Sequence, residues 1–142
     1  MTVRQEAPTA VVTFGDLVSA TYIQLAMLPT NATGLSIRIH KVRVWGALPV
    51  LSTSKSEPVI VQVMDWINPN LTFPTILEEF TRFPDVVNRA CIAYRYPLAH
   101  RNITIPSGPT GSSTVLLRTR GLGPSAVIYW DVQWRSPANI LP

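Results

Sequence analysis

Cysteine is nearly missing from this 142-residue chain. Cys91 stands alone, so no disulfide can close within it, and a stapled secreted module is excluded. Histidine is almost as scarce. His40 and His100 are too few for the multi-histidine metal cradle of a cupin-like sandwich, so neither a metal nor a cofactor is expected. Charge is thin as well: Asp, Glu, Lys and Arg make up 14% of the residues, where about 25% is usual. No apolar run approaches the roughly 18–20 residues that span a membrane. The opening residues Met1 to Pro8 hold no apolar stretch placed as a signal peptide, and no membrane partner is expected. Without such a signal, the three Asn-x-Ser/Thr sequons at Asn31, Asn70 and Asn102 read as polar turn chemistry. Internal repeats, low-complexity tracts and linkers are also missing, so residues 1–142 read as one domain.

Enzyme chemistry has little to build on. There is no Gly-x-Ser-x-Gly elbow, phosphate loop or His-Glu-x-x-His. Cys91 in mid-strand reads as a small core residue rather than a nucleophile. Glu78 and Glu79 are adjacent and point apart, and Asp85 after Pro84 reads as turn chemistry. The expectation is a non-catalytic protein with no catalytic residues.

What is abundant is apolar. Hydrophobic residues make up 46% and mean hydropathy is +0.20, more apolar surface than a monomer of this size needs, which points to faces covered by other subunits. Thirteen prolines leave little room for long helices. Turn clusters at Leu28–Asn31, Ile105–Gly111 and Gly121–Pro124 separate short runs rich in Val, Ile, Tyr, Trp and Thr.

Five runs alternate clearly. Leu35, Ile37 and Ile39 share a face; the phase then slips so that Val42 and Val44 carry the apolar side, which predicts a β-bulge near His40-Lys41. Val59–Trp66 is apolar on both faces, as in a central strand. Ala90, Ile92, Tyr94 and Tyr96 oppose Arg89, Cys91, Ala93 and Arg95. Val115 and Leu117 oppose Leu116, Arg118 and Arg120, and Ile128, Trp130, Val132 and Trp134 oppose Tyr129, Asp131, Gln133 and Arg135. Weaker strands are expected at Ala10–Val18, Tyr22–Leu25 and His100–Ile105. One short helix is expected where Thr75 and Glu78 fit a capping box, with Ile76, Leu77, Phe80 and Phe83 as its stripe and Pro84 as its stop. About eight strands with one helical insert is the content of an all-β, eight-stranded antiparallel jelly-roll sandwich.

The four tryptophans admit another function, a carbohydrate-binding, lectin-like sandwich with an aromatic platform. Trp130 and Trp134 share a face with Ile128 and Val132, which reads as core or interface, whereas Trp45 and Trp66 suit packing and partner contact about equally.

In order, Ile37–Gly46, then Val59–Asp65, then Arg89–Pro97, and finally Ile128–Trp134 resemble strands of the single jelly-roll coat proteins of small icosahedral viruses, among them tombusvirus-like, satellite-virus and circular single-stranded DNA virus shells. The resemblance implies a structural capsid subunit that assembles with copies of itself, in multiples of sixty, into a shell around a viral genome. It places the protein in the virion, assembled in the host cytoplasm or nucleus. Trp45, Trp66 and Tyr96 are then candidates for subunit contacts. Arg4, Arg38, Lys41, Arg43, Arg118 and Arg120 are candidates for unspecific contact with single-stranded nucleic acid.

The chain departs from many such proteins in having only Arg4, not a basic arm, before its first expected strand. Net charge is +4, so sixty copies carry about 240 positive charges, against about 426 phosphates in a single strand encoding 142 residues. A longer chain with an arm, packaging that depends weakly on protein charge, and empty particles all fit that shortfall.

Overall fold

The run Ser36–Trp45 shows how the sequence builds its sheets. In the computed structural model it is one strand, β3, with Ile37, Ile39, Val42 and Val44 all buried. Register slips between Ile39, opposite Val132, and Lys41, opposite Asp131. The bulge expected at His40-Lys41 is therefore present. Without it the two-residue repeat would turn Val42 and Val44 to the outside, forfeiting about 3 kcal/mol or more of apolar burial.

The structure describes residues 1–6, 8–25, 36–47, 58–67, 75–84, 89–106, 113–123 and 125–135. Besides β3 these form β1 (Thr2–Glu6), β2 (Val11–Thr13), α1 (Phe14–Leu25), β4 (Val59–Met64), β5 (Ile76–Arg82), β6 (Cys91–Arg95), α2 (Leu98–Arg101), β7 (Ile105–Pro106), β8 (Val115–Arg120) and β9 (Val127–Arg135). One sheet has the order β1-β9-β3-β6, with the two-residue β7 also paired to β3; the other has the order β2-β8-β4-β5. The pairings β1 with β9, β2 with β8, β3 with β6 and β4 with β5 are all antiparallel. They nest like the rungs of one long hairpin. Rolling that hairpin adds the pairs β3 with β9 and β4 with β8. This is the expected all-β jelly roll.

Valines and isoleucines from both sheets meet between them. Val3, Ile37, Val42, Ile92 and Ile128 face Val12, Val59, Val61, Val63 and Leu117 in one cluster. Trp130 is fully buried there, and its indole Nε1 donates to Gln5 Oε1 at 3.1 Å, as a buried indole requires.

The helix expected at Thr75–Phe83 is corrected: Ile76–Arg82 is the edge strand β5, paired along β4 from Val59↔Arg82 to Met64↔Ile76. A two-turn helix is marginal alone, whereas β4 offers a complete ladder. The charged Glu78, Glu79 and Arg82 suit a sheet edge. The long helix lies instead where strands were expected, in α1. Its cap is reciprocal: Thr13 N donates to Asp16 Oδ2 at 2.9 Å, and Asp16 N donates to Thr13 Oγ1 at 3.3 Å, a capping box with aspartate at its third position. Phe14, Leu17, Val18 and Thr21 form its buried stripe at helical spacing. Similarly, the weak strand expected over His100–Ile105 begins as the single turn α2, and only Ile105–Pro106 is extended.

The turn Gly121-Leu122-Gly123 needs its glycines. Their φ angles are 78° and 76°, and a Cβ on Gly121 would sit 2.5 Å from the Pro58 carbonyl oxygen. The turn clusters around residues 28–31 and 107–111 lie outside the described residues, as do Asn31, Asn70 and Asp85.

Candidate functional site

Alternation fixes which side chains a strand turns outward. On the first sheet, β1 turns out Thr2, Arg4 and Glu6; β9 turns out Tyr129, Asp131, Gln133 and Arg135; β3 turns out Arg38, Lys41, Arg43 and Trp45; and β6 turns out Cys91, Ala93 and Arg95. Register gathers these into rows. Arg4, Tyr129, Arg43 and Ala93 run across the sheet in one row, and Thr2, Asp131, Lys41 and Arg95 in the next. Among the described residues, six basic side chains thus share one face with only two carboxylates, Glu6 and Asp131.

Both carboxylates engage basic residues of this same face. Glu6 pairs with Arg4 at 3.0 Å, both well exposed, a pairing that water weakens to little. Asp131 accepts from Thr2 Oγ1 at 2.9 Å and lies 3.8 Å from Arg43, whose guanidinium also rests over the Tyr129 ring at 5.3 Å. Lys41 and Arg95 sit directly opposite each other, an unfavourable pairing of like charges. Neither has an ion pair among the described residues. A face built this way favours an anion laid across it.

The face is held by its flank. Gln24 on α1 donates from Nε2 to the Thr2 carbonyl at 2.6 Å and accepts from Arg4 N at 3.2 Å. One amide side chain thereby satisfies two backbone groups on the open edge of β1.

The sequence candidates divide. Arg4, Arg38, Lys41 and Arg43 come together on this face. Arg118 and Arg120 do not join them: they lie on β8 in the second sheet, opposite Gln62 and Ile60. Arg95 and Arg135 were missed, although the alternation that placed Ile92 and Val132 inward also places them outward.

The aromatic candidates divide too. Trp45 is half-buried on the outer face, whereas Trp66 and Tyr96 are 5% and 1% exposed. These two spend their surface inside the subunit. Their rings meet edge-on at 4.5 Å, and Trp66 also meets His100 at 5.1 Å. Burial, helped by neighbouring Tyr94, holds the Tyr96 hydroxyl pKa far above the usual tyrosine value. Burial also raises that of Tyr94, with the Glu78 charge adding to it. Close by, His100 Nε2 and Asp65 Oδ1 are 2.9 Å apart, and Asp65 Oδ1 also accepts from Ile67 N at 2.9 Å. This link ties the end of β4 to α2 and had no sequence signal, since the partners are 35 residues apart. Trp130 is buried like Trp66, while Trp45 is half-buried on the outer face and Trp134 is 38% exposed.

No three His, Cys, Asp or Glu side chains cluster to hold a metal ion among the described residues. No helix among them is long and apolar enough to cross a membrane.

No family model and no curated protein matches this chain. Among solved structures, the chain is similar in fold to the cryo-EM structure of the giant freshwater prawn Macrobrachium rosenbergii extra small virus (XSV) VLP. The TM-score is 0.61 at 14% sequence identity, and the match covers 96% of this chain and 77% of the other.

Proposed function

We propose that this chain is a structural capsid subunit that assembles with copies of itself into an icosahedral shell, in multiples of sixty, as part of a virion put together in the host cytoplasm or nucleus. The observation that carries the reading is that nearly the whole chain, 96% of it, overlays on a subunit of a virus-like particle. The nested roll leaves little room for any other domain within the described residues. The resemblance to tombusvirus-like, satellite-virus and circular single-stranded DNA virus shells supports the same role.

Surface chemistry supports it as well. Ile23, Ile76, Phe83 and Leu98 are exposed at 81%, 44%, 71% and 62%. They lie on α1, at the ends of β5 and on α2, where neighbouring copies in a closed shell would cover them. The basic outer face of the first sheet, carrying Arg4, Arg38, Lys41, Arg43 and Arg95, would meet single-stranded nucleic acid without reading its sequence. Arg118 and Arg120 form a separate basic spot on the other sheet.

Light scattering with electron microscopy of the same purified sample tests assembly. Sixty copies of a 15.7 kDa chain give closed particles of about 0.94 MDa. A 15.7 kDa monomer that persists across salt and pH would refute the reading.

A further inference from the structure

Trp45 ends β3 on the outer face of the first sheet, the face that carries the basic rows. It is half-buried, with Val127 opposite it on β9 and Cys91 opposite it on β6. Val127 is 8% exposed yet stands outside the core cluster between the sheets. Its cover therefore comes from the outer side, where Trp45 is its cross-strand neighbour at contact range. On β6 the outward residues Cys91 and Ala93 are small and exposed, so no bulky side chain turns outward beside the indole before Arg95.

Cations flank the ring at both ends. Arg89 reaches across the end of β3, donating from Nε to the Gly46 carbonyl at 3.0 Å and from Nη2 to the Ser125 carbonyl at 2.9 Å. Gly46 directly follows Trp45, so two carbonyls fix this guanidinium beside the indole, and neither cancels its charge. On the other side Arg43 rests over the Tyr129 ring at 5.3 Å and leans toward Asp131 at 3.8 Å, one row further from Trp45. Beyond it Lys41 and Arg95 face each other. Lys41 lies about 13 Å along the strand from Trp45, a span that a short oligonucleotide covers. Glu6 shares the Trp45 row but stands two strands away, paired with Arg4 at 3.0 Å.

We infer that Trp45 is a base-stacking platform for single-stranded nucleic acid, with the phosphates on either side held by Arg89 and by the Lys41 and Arg95 pair. An aromatic face among cations is what single strands use, because every base has a face to stack and every nucleotide a phosphate. A neutral sugar would use the ring and leave the cations idle. A second copy of this chain, with net charge +4, would bring repulsion to the same face. The inference rests on the proposed contact between this face and nucleic acid, and adds to its charge a contact that needs bases.

The test compares two dye-labelled octamers of equal charge, single-stranded octathymidylate and an octamer of abasic deoxyribose phosphates. Both are titrated with the full chain at low salt by fluorescence anisotropy, with light scattering on the same samples. The wild type binds octathymidylate about fivefold or more tighter than the abasic octamer. Trp45→Leu loses that margin while keeping abasic binding and the circular dichroism spectrum, and Trp45→Phe, which retains an aromatic face, restores part of it. Equal wild-type affinity for the two octamers would overturn the inference while leaving the charged contact of the proposed function intact. Unchanged octathymidylate binding in Trp45→Leu would overturn it as well. So would particles lost from that variant with its preference for octathymidylate kept, which would make Trp45 a subunit contact. Particles absent from the wild type, with the thymidylate margin present and dependent on Trp45, would refute the shell and uphold the inference.

Discussion

Replacing Lys41 and Arg95 together by glutamine separates a binding face from a merely charged one. The two side chains face each other across β3 and β6, so removing both charges relieves a like-charge contact worth about 0.2–1 kcal/mol. Lys41 also faces Asp131 on β9, an opposite-charge pair of similar size, so the double variant is about as stable as the parent. Binding falls. Each phosphate neutralised on a single strand contributes about 0.7 to the slope of log K against log salt, so losing two contacts lowers the slope by about 1.4. If the two proteins bind equally near 1 M salt, where counterion release contributes nothing, affinity at 0.15 M falls about tenfold, or ~1.5 kcal/mol. Octathymidylate titrations from 0.05 to 0.5 M salt read the slope directly. Arg118→Gln with Arg120→Gln serves as the comparison, because those arginines lie on the second sheet and leave the slope unchanged. An unaltered slope in the Lys41/Arg95 variant, or the whole loss in the Arg118/Arg120 variant, would refute the assignment of the contact to the first sheet.

Three further outcomes follow from the fold. Trp130→Ala removes a fully buried indole and leaves Gln5 without its donor, which costs about 3–5 kcal/mol in urea unfolding; a loss under 1 kcal/mol would mean the two sheets do not close on this ring. Gly121→Ala forces a Cβ into the Pro58 carbonyl at a positive φ, costing about 2 kcal/mol or more, and a melting temperature matching the parent's would contradict that geometry. Tyr96 carries a folded-state pKa raised above its unfolded value of about 10. Its burial contributes stability that is complete below pH 10 and falls above it by up to ~1.4 kcal/mol per pH unit. Tyr96→Phe, measured by denaturant unfolding from pH 8 to 11, should lose that decline, and an unchanged pH profile would show the hydroxyl does not titrate in that range.

Strand content was legible where one face is buried and the other is wet. In β3, β6 and β9 the period-2 pattern named the inward residues, and even the bulge followed from a phase slip, because packing in a two-layer sandwich enforces that pattern residue by residue. Helix placement failed for the opposite reason. Thr75-x-x-Glu78 and Thr13-x-x-Asp16 offer similar local caps, and what separates them is not local: β4 presents an open ladder to the first, and the core presents a hydrophobic seat to Phe14, Leu17 and Val18 of the second. The helical repeat at residues 14, 17, 18 and 21 was there to be seen, but the preceding Val11-Val12 masked it as strand. The basic face was partly legible, since alternation groups Arg38 with Gln133 only once the register of β3 on β9 is known. Alternation put Trp134 on the face of Ile128 and Val132, read as core or interface, and its ring is 38% exposed.

The division of charge between the two sheets carries the last step. A rolled hairpin gives its two sheets opposite outer faces, so a subunit in a closed shell can use them for different contacts. Among the described residues, the first sheet turns out six basic side chains against two carboxylates. The second sheet sets Arg118 and Arg120 near Glu79, which accepts a hydrogen bond from Gln62 at 3.3 Å, and near Ile60, a more balanced surface of the kind that meets protein or water. Net charge is only +4, yet it is not spread evenly. Concentrating it on one face makes that face the stronger attractor for an anion, with Arg118 and Arg120 a smaller basic spot on the other sheet. In the proposed shell, such concentration would place each neutralised phosphate at a defined position.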